Sequence, residues 1–485
     1  MMDNFTAKGT PRSAIFVTVS CLLAMSVFAT VYFDQIWLLI IPLAIPPLML
    51  VLYYAFRDFK MIFILLLLVF PFTKEFEVPG GLAIDLPGEP LIMILAAIAV
   101  VYTLVNPAYF KRLLRNPIAS ILLLHIAWVG IAVLYSTEPL ISLKYLLSKL
   151  WYVIPCILLL PVFISSHHDF KKYFWLLIIP IAISILGVLY IHAQEDFSFE
   201  AINVSSALFF RNHVNYAAFI SLFIPFIWLA GKWYDRSTVG KLLVFVMKII
   251  FMVGIYFAFA RGAWLALIGA VVFYYAMKYR KLKFIVIPLI CGIIAFGIHL
   301  STNKQYINYA PQFEKAIYHG NIIDHLKATI KNQDVSTAER FYRWVAASRM
   351  FVDHPVTGFG PGSFYHSYKG YTVSSFTTYV SDNPERSGVH NYFLMTLVEQ
   401  GIVGVLLFIF LTFSIFYYGV KTFHQAIKRE QKLFIAAILC SLVIIYVQLM
   451  LSDLVETFKI GSFFFINIGL LVRQMDLLSE KPGGE

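Results

Sequence analysis

Apolar residues fall along this chain in long runs separated by short polar links. A helix rises about 1.5 Å per residue and the hydrocarbon layer is about 30 Å thick, so a spanning helix needs about 20 mostly apolar residues. Fourteen runs meet or approach that length, at 14–33, 36–56, 60–73, 89–105, 117–135, 144–164, 173–192, 214–231, 242–259, 262–277, 284–300, 390–419, 433–452 and 459–473. Those at 60–73 and 459–473 are short. The run at 390–419 is longer than a span requires, so its first turns are expected outside the bilayer. One hydrophilic stretch of 89 residues, 301–389, stands apart from links mostly under about 20 residues, and loops of that length are usually functional or disordered. It holds the helix-like segment AERFYRWVAASRMF (338–351), so it is expected to fold as a small helical cap. The pattern predicts an all-α polytopic bundle of about 12–14 transmembrane helices. It divides into an N-terminal bundle part (1–300), the large loop (301–389) and a C-terminal bundle part with its tail (390–485).

Composition agrees. Of 485 residues, 60% are hydrophobic and 13% charged, with a mean hydropathy of +0.78, against about 45–50% and about 25% in soluble domains. That excludes a soluble enzyme, a disordered chain and a nucleic-acid-binding domain. The net charge of +11 follows instead from topology. With both termini inside, the inner segments hold 22 Lys and Arg and the short outer ones six: Lys74, Lys144, Lys149, Arg211, Arg261 and Lys459. The first run is of span length and lacks a small-residue cleavage site, so it reads as a span. Cys21, Cys156, Cys291 and Cys440 lie singly in apolar runs, with no disulfide framework and no Cys-x-x-Cys pair. No internal repeat is visible, which leaves the symmetric halves of many transporters without support.

The residues suited to chemistry lie in four segments on the outer side: FFRNHVNYAAF (209–219), AFARGAWLAL (258–267), STAERFYRW (336–344) with DHPVTGFGPGSF (353–364), and SGVHNYFLMTLVEQGIVG (387–404). Arg261 sits in a turn that Gly262 alone would serve. Its guanidinium either snorkels to lipid headgroups or faces an anionic substrate such as a phosphate. His390, beside Asn391, is either an interfacial residue bonded to loop backbone or a general base, since imidazole titrates near pH 6.5. Glu399, in an apolar run, needs a partner. About 2.5 helical turns separate it from His390, so an Arg or a polar backbone group is the expected one. Arg340 and Arg343 share a helix face, either as part of a local ion pair with Glu339 or as a binding surface. Arg211 and His213 flank Asn212 as an interface anchor or as members of the same polar cluster. GFGPGSF lacks the βαβ context and the Lys-Ser/Thr of a phosphate loop and reads as a structural turn. Asp-x-Asp spacing is absent, and no His cluster of metal-ligand spacing lies on the outer side.

Taken in order, the Ala-Arg-Gly turn at 260–262, the ER…W segment with DHPVTGFGPGSF, and HNYFLMTLVEQGIVG resemble the bacterial O-antigen ligase and O-antigen polymerase superfamily of integral membrane glycosyltransferases. FFRNHVNYAAF is similar to an N-terminal companion motif. The resemblance covers roughly 200–405. It implies transfer of a glycan from a polyprenyl (undecaprenyl) diphosphate donor to an acceptor hydroxyl, without cofactor or metal ion, at the periplasmic face of the bacterial inner membrane. Arg261, Arg340 and, less directly, Arg211 would bind the diphosphate, and His390 would orient or deprotonate the acceptor. His213, Asn391, Glu399 and Arg343 would support the site. The implied partners are the lipid-linked oligosaccharide, a lipid A–core or glycan acceptor, and membrane lipids. Ligase is the first expectation, with a polymerase or a protein-glycosylating relative as alternatives within the superfamily. A polysaccharide or lipid transporter is the alternative outside it.

Overall fold

The computed structural model describes residues 25, 49–50, 53–54, 57–78, 82–164, 166–234, 237–302, 335–373, 377, 381–383 and 386–479. The chain divides into two compact units, Met1–Leu65 and Leu66–Glu485. Of the first, the described residues give chiefly the opening turns of helix α1 (Lys60–Val69). The runs expected at 14–33 and 36–56 lie almost wholly outside the described residues, as do residues 303–334 of the large loop.

In the second unit a short 3-10 turn (Phe70–Phe72) leads into an antiparallel hairpin of β1 (Lys74–Val78) and β2 (Leu82–Leu86), in which Glu75 faces Asp85. Helices follow: α2 (Gly88–Val105), α3 (Pro117–Leu134), α4 (Pro139–Leu158), α5 (His167–Ala193), α6 (His213–Ser221, resuming at Ile224–Ala230), α7 (Thr238–Phe257), α8 (Arg261–Lys278) and α9 (Lys283–Ser301). Then come α10 (Val335–Asp353), α11 (Tyr392–Gln425), α12 (Arg429–Leu449) and α13 (Phe458–Ser479). Among the described residues nine helices, α2 to α7 and α11 to α13, are long and apolar enough to cross a membrane. The protein is a polytopic helical bundle, as the runs predict.

Local chemistry sets the helix starts. Pro117 and Pro139 stand at first helical positions, where the fixed φ helps and the missing N–H costs nothing. Asn116 caps α3 by accepting from the Ile118 and Ala119 amides, and Ser166 and Asp169 form a capping box before α5. α12 and α13 lie at the centre: 78% and 72% of their apolar windows are buried, against 33% for peripheral α7. α12 packs against α6, α8, α11 and α13, while α13 also packs on α4, and α11 packs on α3 and α10.

Three differences from the apolar runs bear on function. α4 begins at Pro139, so Lys144 and Lys149 lie within the helix and Lys149 is buried in the bundle. The last helix extends to Ser479, long enough to span. α11 is two helices joined at Gly401, whose backbone (φ 68°, ψ −171°) is non-helical. The hairpin went unforeseen, although the strand-like KEFEV and LAIDL flank the breaker sequence Pro-Gly-Gly.

Candidate active site

α11 enters the bundle through the segment Ser387–Asn391 and carries two polar centres nine residues apart. The lower one is Glu399, which is 2% exposed. Its two carboxylate oxygens accept from the backbone amides of Gly362 (2.9 Å) and Phe364 (3.2 Å). The Val398 and Glu399 carbonyls take the amides of Phe359 and Gly360, and the Pro355 carbonyl takes that of Ile402. Residues 355–364 are thus laced to the break at Gly401, where a Cβ would collide with the Val356 carbonyl oxygen. Trp128 Nε1 donates to the Gln400 carbonyl at 2.9 Å, and Ser142 Oγ to that of Pro361 at 2.7 Å, which ties this knot to α3 and α4. GFGPGSF is therefore a structural turn, and Glu399 pairs with polar backbone, both as the sequence led one to expect.

The upper centre is His390. It adopts φ 59°, a left-handed conformation that non-glycine residues seldom take. Val389 before it is fully buried. Asn391 after it caps α11, accepting from the Leu394 amide at 3.0 Å and donating to the Met450 carbonyl at 3.2 Å. Arg343 of α10 reaches His390: Nη1 lies 2.5 Å from Nε2 and 3.2 Å from the Gly388 carbonyl, while Nη2 lies 3.3 Å from Glu339 Oε2. Glu339 Oε1 takes a hydrogen bond from Ser381 at 2.7 Å. An ion pair on this helix joins Glu339 to Arg343, four positions apart, and it is buried. Burial, then Arg343 and Arg340, pushes the His390 imidazole down to about 3. A guanidinium only donates, so while Arg343 stays in place Nε2 is an acceptor already in use.

The link between α12 and α13, residues 450–457, brings the elements together, and sequence reasoning passed over it. Gly388 has no room for a Cβ because Asp453 Oδ2 stands there. Burial pushes the Asp453 carboxyl up from its ordinary range, with Glu456 adding to the rise and Arg343 and Arg211 opposing it. Glu456 Oε1 accepts from Lys149 Nζ (2.5 Å) and Tyr145 OH (2.8 Å), and Lys149 also donates to Tyr392 OH at 3.0 Å. Two acidic residues in a short link of an acid-poor chain were the available signal.

Arg211, at the surface, precedes Asn212, which caps α6 by accepting from the Asn215 amide at 2.9 Å. His213 Nδ1 donates to Asn203 Oδ1 at 2.6 Å. Lys459 holds this segment from below: its buried ammonium donates to the carbonyls of Phe209 (2.6 Å) and Pro71 (2.7 Å) and lies 3.9 Å from the centre of the Phe210 ring. Arg261 opens α8 beside the same link, since a Cβ on Gly262 would lie 3.5 Å from Leu451 Cδ1. Arg340 sits one position after Glu339 on α10, where it contributes to the field at His390.

The structure therefore places Arg343 and Arg211 in the field of Asp453, and Arg343 and Arg340 in that of His390, with Asn391 capping the helix that follows. Arg261 and His213 lie on flanking helix ends, and Glu399 belongs to the separate knot below. Among the described residues no group of three or more His, Cys, Asp or Glu is placed to hold a metal ion. Guanidinium groups brought together in this way suit an anion with several oxygens. No curated protein matches the chain. Residues 245–409, from the middle of α7 into the second half of α11 and about a third of the chain, match the family model described as O-antigen ligase.

Proposed function

We propose that the protein transfers a glycan from a polyprenyl diphosphate to an acceptor hydroxyl at the periplasmic face of the bacterial inner membrane, as an O-antigen ligase acting on lipid A–core, with both termini cytoplasmic. In this reading residues 1–300 and 390–485 form the membrane bundle and 301–389 the periplasmic loop. The observation that carries it is that Arg343 and Arg211 lie in the field of Asp453 while Arg343 and Arg340 lie in that of His390, with Glu339 engaged by Arg343. Charge builds on the diphosphate as the anomeric C–O bond breaks, and fixed guanidinium groups stabilise that charge without reorganising. Arg211, Arg261 and Arg340 hold the diphosphate. Asp453, its carboxyl raised above the ordinary carboxylate range by burial, is suited to take the proton of the attacking hydroxyl. The new bond forms from the acceptor oxygen to the anomeric carbon, and the polyprenyl diphosphate leaves with the electron pair.

The test uses purified protein, a synthetic polyprenyl diphosphate-linked oligosaccharide and EDTA, with and without lipid A–core, resolved on a gel. A single shifted band that requires lipid A–core supports the ligase. A ladder formed without it makes the protein a polymerase, and release of neither product overturns the reading.

A further inference from the structure

Resting on the diphosphate-linked donor proposed above, we infer that His390 is a donor to the diphosphate rather than a base toward the acceptor, and that Arg343 is the positioning residue that makes it so. The argument begins with the hydrogen-bond inventory. Arginine carries N–H groups and no acceptor. At 2.5 Å from Arg343 Nη1, His390 Nε2 must present its lone pair, because a proton there would set two donors against each other. The imidazole is therefore neutral, with its proton on Nδ1. Among the described residues no group hydrogen-bonds to Nδ1, which leaves that N–H for a ligand.

The arrangement is held firmly. The same Arg343 nitrogen bonds the Gly388 carbonyl two residues before His390, and the other terminal nitrogen is fixed by Glu339, which Ser381 fixes in turn. Arg343 is 4% exposed and Glu339 5%, so neither swings out without stranding the other's charge in a buried site. Asn391, as cap, and Val389, in the core, hold the left-handed backbone that aims the ring. The charged groups acting on the ring are Arg343 and Arg340 from α10, while Asp453 of the α12–α13 link stands beside Gly388, in the field of Arg343 and Arg211. Two guanidinium groups beside a neutral N–H make a pocket for an anion oxygen. They also oppose the imidazolium that a base would have to become. No proton leaves Nδ1 in this assignment.

Two readouts test it, and neither needs turnover. Binding of the synthetic polyprenyl diphosphate-linked oligosaccharide is measured for each variant alongside its melting curve. His390→Ala weakens binding about tenfold or more, the size of a lost charge-assisted hydrogen bond. His390→Asn, whose amide N–H stands near the place of Nδ1–H and offers no basic nitrogen, recovers most of that loss. A base would be lost equally in both variants, with donor binding untouched and transfer down by about 10²–10⁴-fold, and that pattern overturns the inference. The second readout is pH. Between pH 5 and 8 the wild type and His390→Asn share one binding profile. Arg343→Gln removes one of the two cations that oppose charging, so its binding tightens toward the acid end of that range, burial still holding the imidazole below its ordinary value, and the double variant with His390→Asn loses that limb. Arg343→Lys, used if the Gln variant melts early, is expected to restore the shared profile. Absence of any new limb in a folded Arg343→Gln protein overturns the positioning role. A wild type that does not bind the lipid diphosphate overturns the functional reading itself, so the two failures are distinct.

Discussion

Helix α11 carries two polar centres nine residues apart, and they are built on opposite plans. At Glu399 each carboxylate oxygen is met by a backbone N–H, the flanking carbonyls are taken as well, and the chain bends at a glycine with no space for more. At His390 the backbone sits in a costly left-handed conformation, one ring nitrogen is taken by a cation, and positive charge exceeds negative. The first centre is closed and explains itself as structure. The second joins a left-handed backbone to a ring held between cations, features that collect where ligands bind.

The widest separation between the two centres comes from Gly401→Ala. A methyl group there meets the Val356 carbonyl at a positive φ, so we expect a loss of about 3 kcal/mol or more and little folded protein by size-exclusion chromatography. His390→Ala is expected to elute and melt as the wild type. Equal damage in both would erase the distinction. Next, Glu399→Ala strands two buried N–H groups at about 1–3 kcal/mol each, while Glu399→Gln keeps one acceptor and costs about half. Thermal melting in detergent orders the three proteins. Arg261→Ala is expected to melt normally but transfer glycan at least tenfold more slowly, the value of one charged hydrogen bond. Normal transfer would remove that arginine from the upper centre. The smallest effect is a pH trend in stability. His390 is held below its ordinary 6.5, so the unfolded chain binds a proton that the folded one refuses. Stability from this group is full above about pH 6.5 and declines as pH falls toward 3. Relative to His390→Asn, wild-type melting temperatures should therefore drop by a few degrees between pH 7 and pH 5.

The same contrast explains what could be read from the sequence. Span-length apolar runs gave the helices because lipid imposes backbone satisfaction within each segment. Glu399 announced itself as a charge in an apolar run that needed a partner. His390, Asn391 and the arginines stood out as polar groups at helix ends, and several of them do converge. What periodicity could not show is which end meets which. Asp453 and Glu456 acquire meaning only when α13 returns beside α4 and α11. Lys149 counted as a loop cation until Pro139 started its helix early and carried it inside. Asn391 was weighed as a chemical group, whereas it caps the helix after it, as Asn212 does. The Arg343–His390 contact depends on how α10 lies across α11, a matter of tertiary packing that no local pattern encodes.

The ion pair that links α4 to the far end of the chain sets the timetable of assembly. Lys149 and Glu456 are 307 positions apart, and bacterial ribosomes add about 5–20 residues per second, so the lysine waits roughly 15–60 s for its partner to be made. Until then α4 holds a cation in or near the hydrocarbon layer with its eventual counter-ion still untranslated, an arrangement that chaperoning lipids or the insertion machinery must tolerate. The short link before α13 thereby supplies the counter-ion for a charge that entered the bundle long before it.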